Sequence, residues 1–384
     1  MFKLSRKSLI AFSLAGALSL GGLFAENVTG LTVSSPTEIL PPTIVADVTQ
    51  TTTGEGTAYG IYDKVGLAGG VPAGVSIVAT GYRNDAIGIY ITSVASAVGD
   101  IGATIRSHTD WVTYSSATAH GLLTEASIGN FTGTITVSTG NYSQAYGVVA
   151  EGHRTAAGSI SMGNIGGEIH VQSQQGIGVA LYNEVYAQNM TGLIAVTASN
   201  GAYGIVLQES SVQAVQSQIK VSSSDLLAVG INLSGESSYI GEISSTANVT
   251  VDGLLAVGIA FSTESGDHLG TVAGSIVATA TGTGTDSVAV AYMFQDGSGR
   301  SAETENTLYL ADGATLKAVN NASTKRAMAF SSYPTDTVSI QIQGDGGTFY
   351  ITGGASVGKG ITLSGGTYEW DNLCTLKEGT VIAM

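Results

Sequence analysis

The chain is poor in cysteine, proline and charge. Its one cysteine, Cys374, cannot form an internal disulfide, so buried apolar groups and backbone hydrogen bonds must hold the fold together. Only 5 of the 384 residues are proline, and none occurs from Ala73 to Tyr333. Because proline would interrupt the hydrogen bonds of a central strand, its absence leaves this stretch free to form sheets.

The low charge also limits the class of protein. Charged residues are 11% of the sequence and hydrophobic residues are 43%. Disordered chains have the opposite composition, so we predict a folded protein. With so few charges, its surface must consist mainly of Ser, Thr, Asn, Gln and Gly, as in extracellular β-proteins and unlike most cytosolic enzymes.

The N-terminus has the three parts of a secretory signal peptide. Lys3, Arg6 and Lys7 form a basic start, residues 9–24 are apolar, and Ala25 offers a small residue at a cleavage point. A membrane-spanning helix needs roughly 20 apolar residues, so we expect cleavage and export instead of an anchor. Cleavage lowers the number of Lys and Arg from 14 to 11 against 29 Asp and Glu, a net charge of −18. Nucleic acids and anionic membranes would repel such a chain, so neither is an expected partner.

A short motif of a small residue, an apolar residue, glycine and an aliphatic residue recurs along most of the chain. Its eight copies contain Gly60, Gly88, Gly121, Gly147, Gly178, Gly204, Gly230 and Gly258, with spacings of 26 to 33 residues. Two degenerate copies, at 288–290 and 328–330, have alanine in place of glycine. A strand of the form Gly-x-Ile-x-Val precedes nearly every copy, and a weaker apolar stretch such as 212–215 follows it.

Three short strands in each unit of 26 to 33 residues predict one coil of a β-helix. The strands alternate with period two, as expected for a sheet with one buried face. The 53 glycines are about twice the usual ~7% and suit a fold with many tight corners. Helical repeats are disfavoured by the many Gly, Thr, Val and Ile residues. We therefore predict an all-β, right-handed parallel β-helix of about ten coils.

The pattern does not decide which face of the repeated strand is buried. Strict alternation places Tyr59 and Ile61, and likewise Tyr203 and Ile205, on one face. It places the small residues on the other face: Ala58, Gly60, Ala202 and Gly204. In one interpretation the bulky residues point inward and leave a smooth outer face of Ala and Gly that a partner or a second copy could bind. In the other, the small residues lie at a tight inner corner and the tyrosines point outward.

The sequence divides into four segments. Residues 1–25 are the predicted signal peptide, and residues 26–55, which contain three of the prolines, are predicted to form an N-terminal leader or cap. Residues 56–300 carry the regular repeats. Residues 301–384 contain shorter strands, which predicts irregular coils or a β-rich cap.

The predicted signal peptide, the degenerate glycine-rich repeats and the stretch Asn306–Ala314 together resemble passenger domains of bacterial autotransporter-like adhesins. The resemblance covers about residues 55–384. It implies a β-helix at the cell surface or released from it, with a role in adhesion or in a surface layer. Such adhesins end in an outer-membrane barrel, which this sequence, ending at Val381–Met384, lacks. We therefore expect a separate translocator, a truncated reading frame or another export route.

β-Helices also carry polysaccharide lyases and hydrolases, which need clustered acids and bases. The candidate clusters are Asp100 and Asp110 near His108, and Glu151 near His153 and Arg154. Corner loops normally carry such polar residues, and they do not recur at matching positions, so neither cluster is predicted to be catalytic.

Other chemistry-bearing residues have a simpler structural interpretation. His120 occupies an apolar position of its repeat and is predicted to be a core or edge residue, and His170 is predicted to be an exposed strand residue. The sequence Gly344–Gly347 faintly resembles a calcium-binding repeat but is predicted to be a turn. Trp370 could stack on a sugar, although a capping role is more natural. No cofactor, metal or catalytic residue is predicted.

The leading hypothesis is a non-catalytic exported β-helix at the extracellular or outer-membrane surface, acting in adhesion or surface coating. Its partners would be host or bacterial surface glycans or proteins. The alternatives are a carbohydrate-active enzyme on the same scaffold and a self-assembling extracellular matrix protein. An enzyme would bring acids and Arg or Lys together across three successive coils.

Overall fold

The structure is a computed structural model of the chain. It describes residues 27–48, 56–82, 85–110, 117–140, 143–152, 159–235, 237–262, 268–281, 287–295, 306–311, 314–320, 326–331, 340–344, 348–351, 356–357, 361–364, 367–370, 375–376 and 381–383.

The strands form a parallel β-solenoid, which confirms the predicted fold class, and its number of turns is close to the predicted number of coils. Each regular turn has three sides, which the chain visits in the order 1, 2, 3. Sides 1 and 2 belong to one sheet, because two long strands run across the corner between them, and side 3 is a separate sheet. The right-handed winding stays a prediction.

Side 1 contains the strands that precede the glycine motif. They are β2 (Thr43–Val48), β4 (Ser76–Tyr82), β6 (Thr104–Asp110), β8 (Thr134–Thr139), the first halves of β11 (Glu168–Tyr182) and β13 (Leu193–Gln208), β15 (Gln218–Ser223), β18 (Asn248–Gly253), β21 (Ser275–Ala280), β24 (Thr315–Asn320), β27 (Thr348–Ile351) and β30 (Thr367–Trp370).

Side 2 contains the glycine motif itself. Its strands are β1 (Val28–Val33), β3 (Thr57–Asp63), β5 (Asp85–Ile91), β7 (Thr118–Thr124), β9 (Gln144–Glu151), the second halves of β11 and β13, β16 (Leu227–Ser234), β19 (Leu255–Ser262), β22 (Val288–Gln295) and β25 (Arg326–Ser331).

Side 3 corresponds to the weaker third stretch of each repeat. Its strands are β10 (Ile160–Met162), β12 (Val185–Met190), β14 (Ser211–Val215), β17 (Tyr239–Ile243), β20 (His268–Val272), β23 (Asn306–Leu310), β26 (Ile340–Gly344), β29 (Ile361–Ser364) and β32 (Val381–Ala383). In the first turns this side consists of isolated bridges, such as Val71 to Ile101 and Ile101 to Phe131. A short pair, β28 (Ser356–Val357) and β31 (Thr375–Leu376), forms a separate two-stranded sheet, and β28 lies beside β25 of side 2.

One continuous core fills the interior of the solenoid. Side 1 contributes Ile135, side 2 contributes Ile205 and side 3 contributes Val212, and all three side chains are fully buried. Burying an aliphatic side chain of this size contributes roughly 1.5–3 kcal/mol. Since each turn adds several such residues at the same positions, the core extends along the axis by about 4.8 Å per turn.

Side 2 departs from strict alternation at its glycine. Ala202 and Ile205 both belong to the inner core, whereas Tyr203 belongs to a second apolar cluster made only of side 2 residues. The small residues therefore point inward and the tyrosines outward, as in the second sequence interpretation. The expectation that Tyr203 and Ile205 share a face is wrong, and so is the smooth outer face of Ala and Gly.

The reason lies in the column of glycines. A column here means the residues in register on successive strands of one side. A Cβ atom on Gly60 would overlap Ile77 of side 1 and lie 2.5 Å from the carbonyl oxygen of Gly88. The backbone of side 2 thus approaches side 1 so closely that a Cβ at Gly60 would require its neighbours to move, and the chain passes two consecutive residues, Gly60 and Ile61, on the inner side. In β22 the same column holds Ala291, so the alanine that replaces glycine lies one residue beyond the predicted degenerate copy at 288–290.

The segment predicted to be an N-terminal leader contains two of these strands. β1 pairs in parallel with β3, and β2 pairs in parallel with β4, in the same registers as later turns. At the end of β3, the buried carboxylate of Asp63 accepts hydrogen bonds from the backbone N–H groups of Val65, Gly66 and Leu67, which orders the next corner. The boundaries of the predicted segments remain predictions.

Candidate functional site

A hydrogen-bonded group of polar side chains lies on the outer face of side 1. His108 of β6 contacts Asp110 of the same strand, with 3.0 Å between Nε2 and a carboxylate oxygen. Its other ring nitrogen, Nδ1, lies 2.8 Å from the hydroxyl oxygen of Ser138 on β8. A carboxylate, an imidazole and a hydroxyl are therefore joined in one hydrogen-bonded chain across two turns.

Local structure positions these three residues. In β6 the side chains of Ile105, Ser107 and Thr109 point inward and are buried, so His108 and Asp110 must point outward as next neighbours on the same face. His108 is in register with Ser138 on the following strand. The side chains of His108 and Asp110 are 40% and 61% exposed, so the group lies on an open surface.

The sequence cluster around His108 is thus brought together in part. Of the two acids grouped with His108 in the sequence, Asp110 contacts the imidazole. Asp100 instead lies at another corner of the coil. There its carboxylate accepts hydrogen bonds from the backbone N–H and the side-chain amide of Asn130. The series continues from Asn130 to the backbone of Asn164, and Asn189 donates to the Asn164 side chain. This ladder of amides links successive turns.

Sequence reasoning missed Ser138. The residue is unremarkable in a chain rich in serine, but it follows His108 by 30 residues, within the range of the repeat length. Alignment of consecutive side 1 strands would have placed it beside His108.

A second acid–histidine pair lies further along the same face. On β11, Nε2 of His170 lies 3.4 Å from a carboxylate oxygen of Glu168, and the two side chains are 41% and 61% exposed. The exposure of His170 is as predicted. Its neighbours in register are Thr136 and Ala195, so this pair has no serine beside the imidazole.

His120 lies in a different environment, on the outer face of side 2. Its ring stacks on the ring of Tyr146, with 4.7 Å between centroids and 5° between planes. The Nδ1 atom is buried and has no hydrogen-bond partner among the described residues. Burial lowers the pKa of His120 to about 4, so the ring is neutral at physiological pH. This agrees with its prediction as a packing residue.

Near the N-terminus, three tyrosine rings pack against each other on the same outer face of side 2. The rings of Tyr59 and Tyr62 both lie against Tyr90, with centroid distances of 5.8 and 5.5 Å. The Tyr90 hydroxyl donates a 2.9 Å hydrogen bond to Glu125. Burial raises the pKa of Tyr90 and raises that of Tyr146 to about 12, so these phenols remain protonated.

The other sequence candidates cannot be placed in a site. Glu151 ends β9, but its predicted neighbours His153 and Arg154 lie outside the described residues. Cys374 and residues 345–347 of the glycine-rich turn also lie outside them. Trp370 ends β30, and only its backbone position is described.

Two features are absent from the described part of the chain. No group of three or more His, Cys, Asp or Glu side chains there could hold a metal ion. No helix in the same residues is long and apolar enough to cross a membrane.

Comparison with known proteins identifies no relative: no family model, no curated protein and no solved structure matches this chain.

Proposed function

We propose that this protein is exported and acts at or outside the cell surface, in adhesion or as part of a surface layer. The observation that carries the proposal is the repetition of outward polar groups along side 1. One outer column runs through nine polar residues in register, none of them buried: Asp47, Thr80, His108, Ser138, Gln172, Thr197, Ser222, Asp252 and Thr279.

A repeated surface of this kind suits a repeated partner. The column presents a similar hydrogen-bonding group every ~4.8 Å, so a polymer or an array of surface groups can be bound at several points at once. Adjacent hydroxyls already interact, since Ser222 donates to Thr197 over 3.2 Å. The preferred partners are surface glycans, whose hydroxyls match such a face, or surface proteins.

The N-terminal sequence supports the location. A basic start followed by an apolar stretch and a small residue is read by the export machinery, and the low charge of the chain fits an extracellular surface. The resemblance to autotransporter-like adhesins points to the same compartment.

Location is the first experiment. Intact producing cells would be treated with a protease, and the chain would be followed by antibody alongside a cytoplasmic marker. We expect loss of this protein with retention of the marker, and a mature N-terminus near Glu26. A protein that is protected in intact cells and retains residues 1–25 would contradict the proposal.

Adhesion is the second experiment. Beads coated with the mature protein would be tested for binding to immobilised surface glycans and to host cells. Replacing Thr197, Ser222 and Thr250 by glutamate should reduce binding at least tenfold, because it adds negative charge to the polar face of side 1. The matched control replaces three exposed residues of side 3 or the corners, Tyr186, Leu226 and Tyr239, by glutamate. Equal loss in both variants would show that side 1 is not the binding face.

A further inference from the structure

The hydrogen bonds that join Asp110, His108 and Ser138 are arranged like those between a serine nucleophile, its histidine base and an acid. A carboxylate only accepts hydrogen bonds, so Asp110 holds the imidazole proton on Nε2 of His108. The lone pair of Nδ1 then faces Ser138 and accepts its hydroxyl proton over 2.8 Å. Serine hydrolases use the same order of acid, imidazole and hydroxyl, with the two ring nitrogens exchanged.

Two further donors lie on the strands on either side of Ser138. Gln172 is in register with Ser138 on the opposite side from His108, and it is exposed. Arg106, also exposed, lies two residues before His108 on the same outer face. Three successive turns therefore place the His108 imidazole, the Ser138 hydroxyl and the Gln172 amide in one column. The Arg106 guanidinium belongs to the neighbouring column of the same face. Amide and guanidinium N–H groups can stabilise an oxyanion that forms beside Ser138.

We propose that Ser138 is a nucleophile toward O-acyl esters carried by a polymer. His108 Nδ1 takes the proton of the Ser138 hydroxyl as its oxygen bonds to the ester carbonyl carbon. The tetrahedral adduct expels the alcohol, which takes that proton from His108, and leaves acyl-Ser138. Water, deprotonated by His108, then attacks the acyl carbon and releases the carboxylic acid and free serine.

The open position of the site determines the substrate class. His108 and Asp110 lie on an outer sheet face with 40% and 61% of their side chains exposed, and such an open face cannot enclose a small free ester. A polymer lying along side 1 would instead be held by the polar column and would present its ester groups to Ser138. O-acetylated polysaccharide is the substrate of this kind that matches a hydroxyl-rich face. This activity goes beyond the proposed surface role, and its choice of a polymer substrate rests on the proposed binding of polymers by the polar column.

The chain provides its own control. Glu168 and His170 form the same acid–histidine pair on the same face, without a serine in register. Any reactivity that arises simply from an exposed imidazole should survive loss of Ser138 and should depend equally on both pairs.

The test uses the mature chain, starting at Glu26, with a fluorophosphonate probe and with acetylated xylan. We expect one probe molecule per chain, mapped to Ser138 by mass spectrometry, and release of acetate from the polymer. Ser138→Ala should abolish labelling, and Asp110→Asn should slow both reactions by about 100-fold or more. Glu168→Gln should change neither.

Three outcomes would overturn the proposal. They are the absence of labelling in the folded chain, labelling that persists in Ser138→Ala, and labelling without acetate release from the polymer. Circular dichroism of each variant verifies that the fold is retained. Because the adhesion assay is independent, a chain that binds glycans but is not labelled would reject the esterase and leave the proposed surface role standing.

Discussion

The outer faces of sides 1 and 2 share one sheet but have opposite chemistry. On side 1, outward residues such as Thr136 and Gln172 are polar and exposed, and burial alternates along each strand. On side 2, Tyr146, Val149 and their equivalents on other turns form an apolar cluster whose buried members are at most 9% exposed. The sequences of side 2 strands are therefore almost continuously apolar, as is typical of strands that are buried on both faces.

The difference indicates on which side the outward residues can be substituted without loss of stability. Side 1 keeps its polar face open, so its outer residues can vary in favour of binding or chemistry. Side 2 is constrained inside by the glycine column and outside by packed aromatic and aliphatic groups. We therefore expect mutations on side 2 to affect stability strongly and mutations on the outer face of side 1 to affect it little.

The largest effect should come from the inner glycine column. Gly204→Ala should lower the free energy of unfolding by about 4 kcal/mol, because the new Cβ would overlap the carbonyl oxygen of Gly230 and lie 2.5 Å from Ile219. Gly201→Ala, on the same strand, is the control, since its Cβ would make only an ordinary contact of 3.8 Å with Tyr203. Urea denaturation followed by circular dichroism measures both, and equal midpoints would refute the close approach of sides 1 and 2.

The outer cluster of side 2 should come next. Tyr203→Ala should cost about 3 kcal/mol, because Tyr203 is 7% exposed and its removal leaves a gap in a packed column. Tyr186→Ala removes a tyrosine that is 41% exposed on side 3, and it should cost less than about 1 kcal/mol. If the two variants unfold at the same denaturant concentration, the outer cluster does not stabilise the fold.

Acid should weaken side 2 selectively through His120. Its pKa of about 4 in the folded chain lies below the ordinary value of 6.5, so the unfolded chain binds more protons between these pH values. The neutral ring of His120 contributes fully to stability above pH 6.5, and this contribution is lost as the pH falls toward 4. The loss of unfolding free energy amounts to about 2 kcal/mol at pH 4.5.

His120→Tyr isolates this effect, because Tyr146 occupies the adjacent position of the same column. The variant should lose less stability than the parent chain between pH 7 and pH 4.5, measured by urea denaturation at both. His170→Tyr, at an exposed site on side 1, should leave the pH dependence unchanged. A parent chain and His120→Tyr with parallel pH profiles would contradict burial of the neutral ring.

The smallest effect should be on the outer face of side 1. Thr136→Val replaces an exposed hydroxyl between Arg106 and His170, and valine fits a strand equally well, so stability should change by less than about 0.5 kcal/mol. Thermal unfolding of this variant beside the parent is sufficient. A loss comparable to that of Tyr203→Ala would mean that side 1 is not an open surface.

Much of the architecture could be predicted from the sequence. The glycine motif forms side 2, the Gly-x-Ile-x-Val strand before it forms side 1, and the apolar stretch after it forms side 3. These patterns could be recognised because each repeat has to bury its own apolar face. The lack of proline between Ala73 and Tyr333 agreed with strands that are paired on both edges, as β11 is with β9 and β13.

The orientation of side 2 and the group around Ser138 could not be predicted in the same way. Period two suggests that Tyr203 and Ile205 share a face, and only the close approach of side 1 shows why the chain shifts at Gly204. Ser138 and His108 are 30 residues apart, and their contact depends on the register between turns.

The sequence by itself thus determined the repeat, the three strands of each turn and the apolar residues that fill the core, because these follow from local periodicity and burial. Only the tertiary structure decided which side chains face outward together and which of them meet across turns. Such contacts depend on corner lengths and on the register of neighbouring strands, which no single repeat contains.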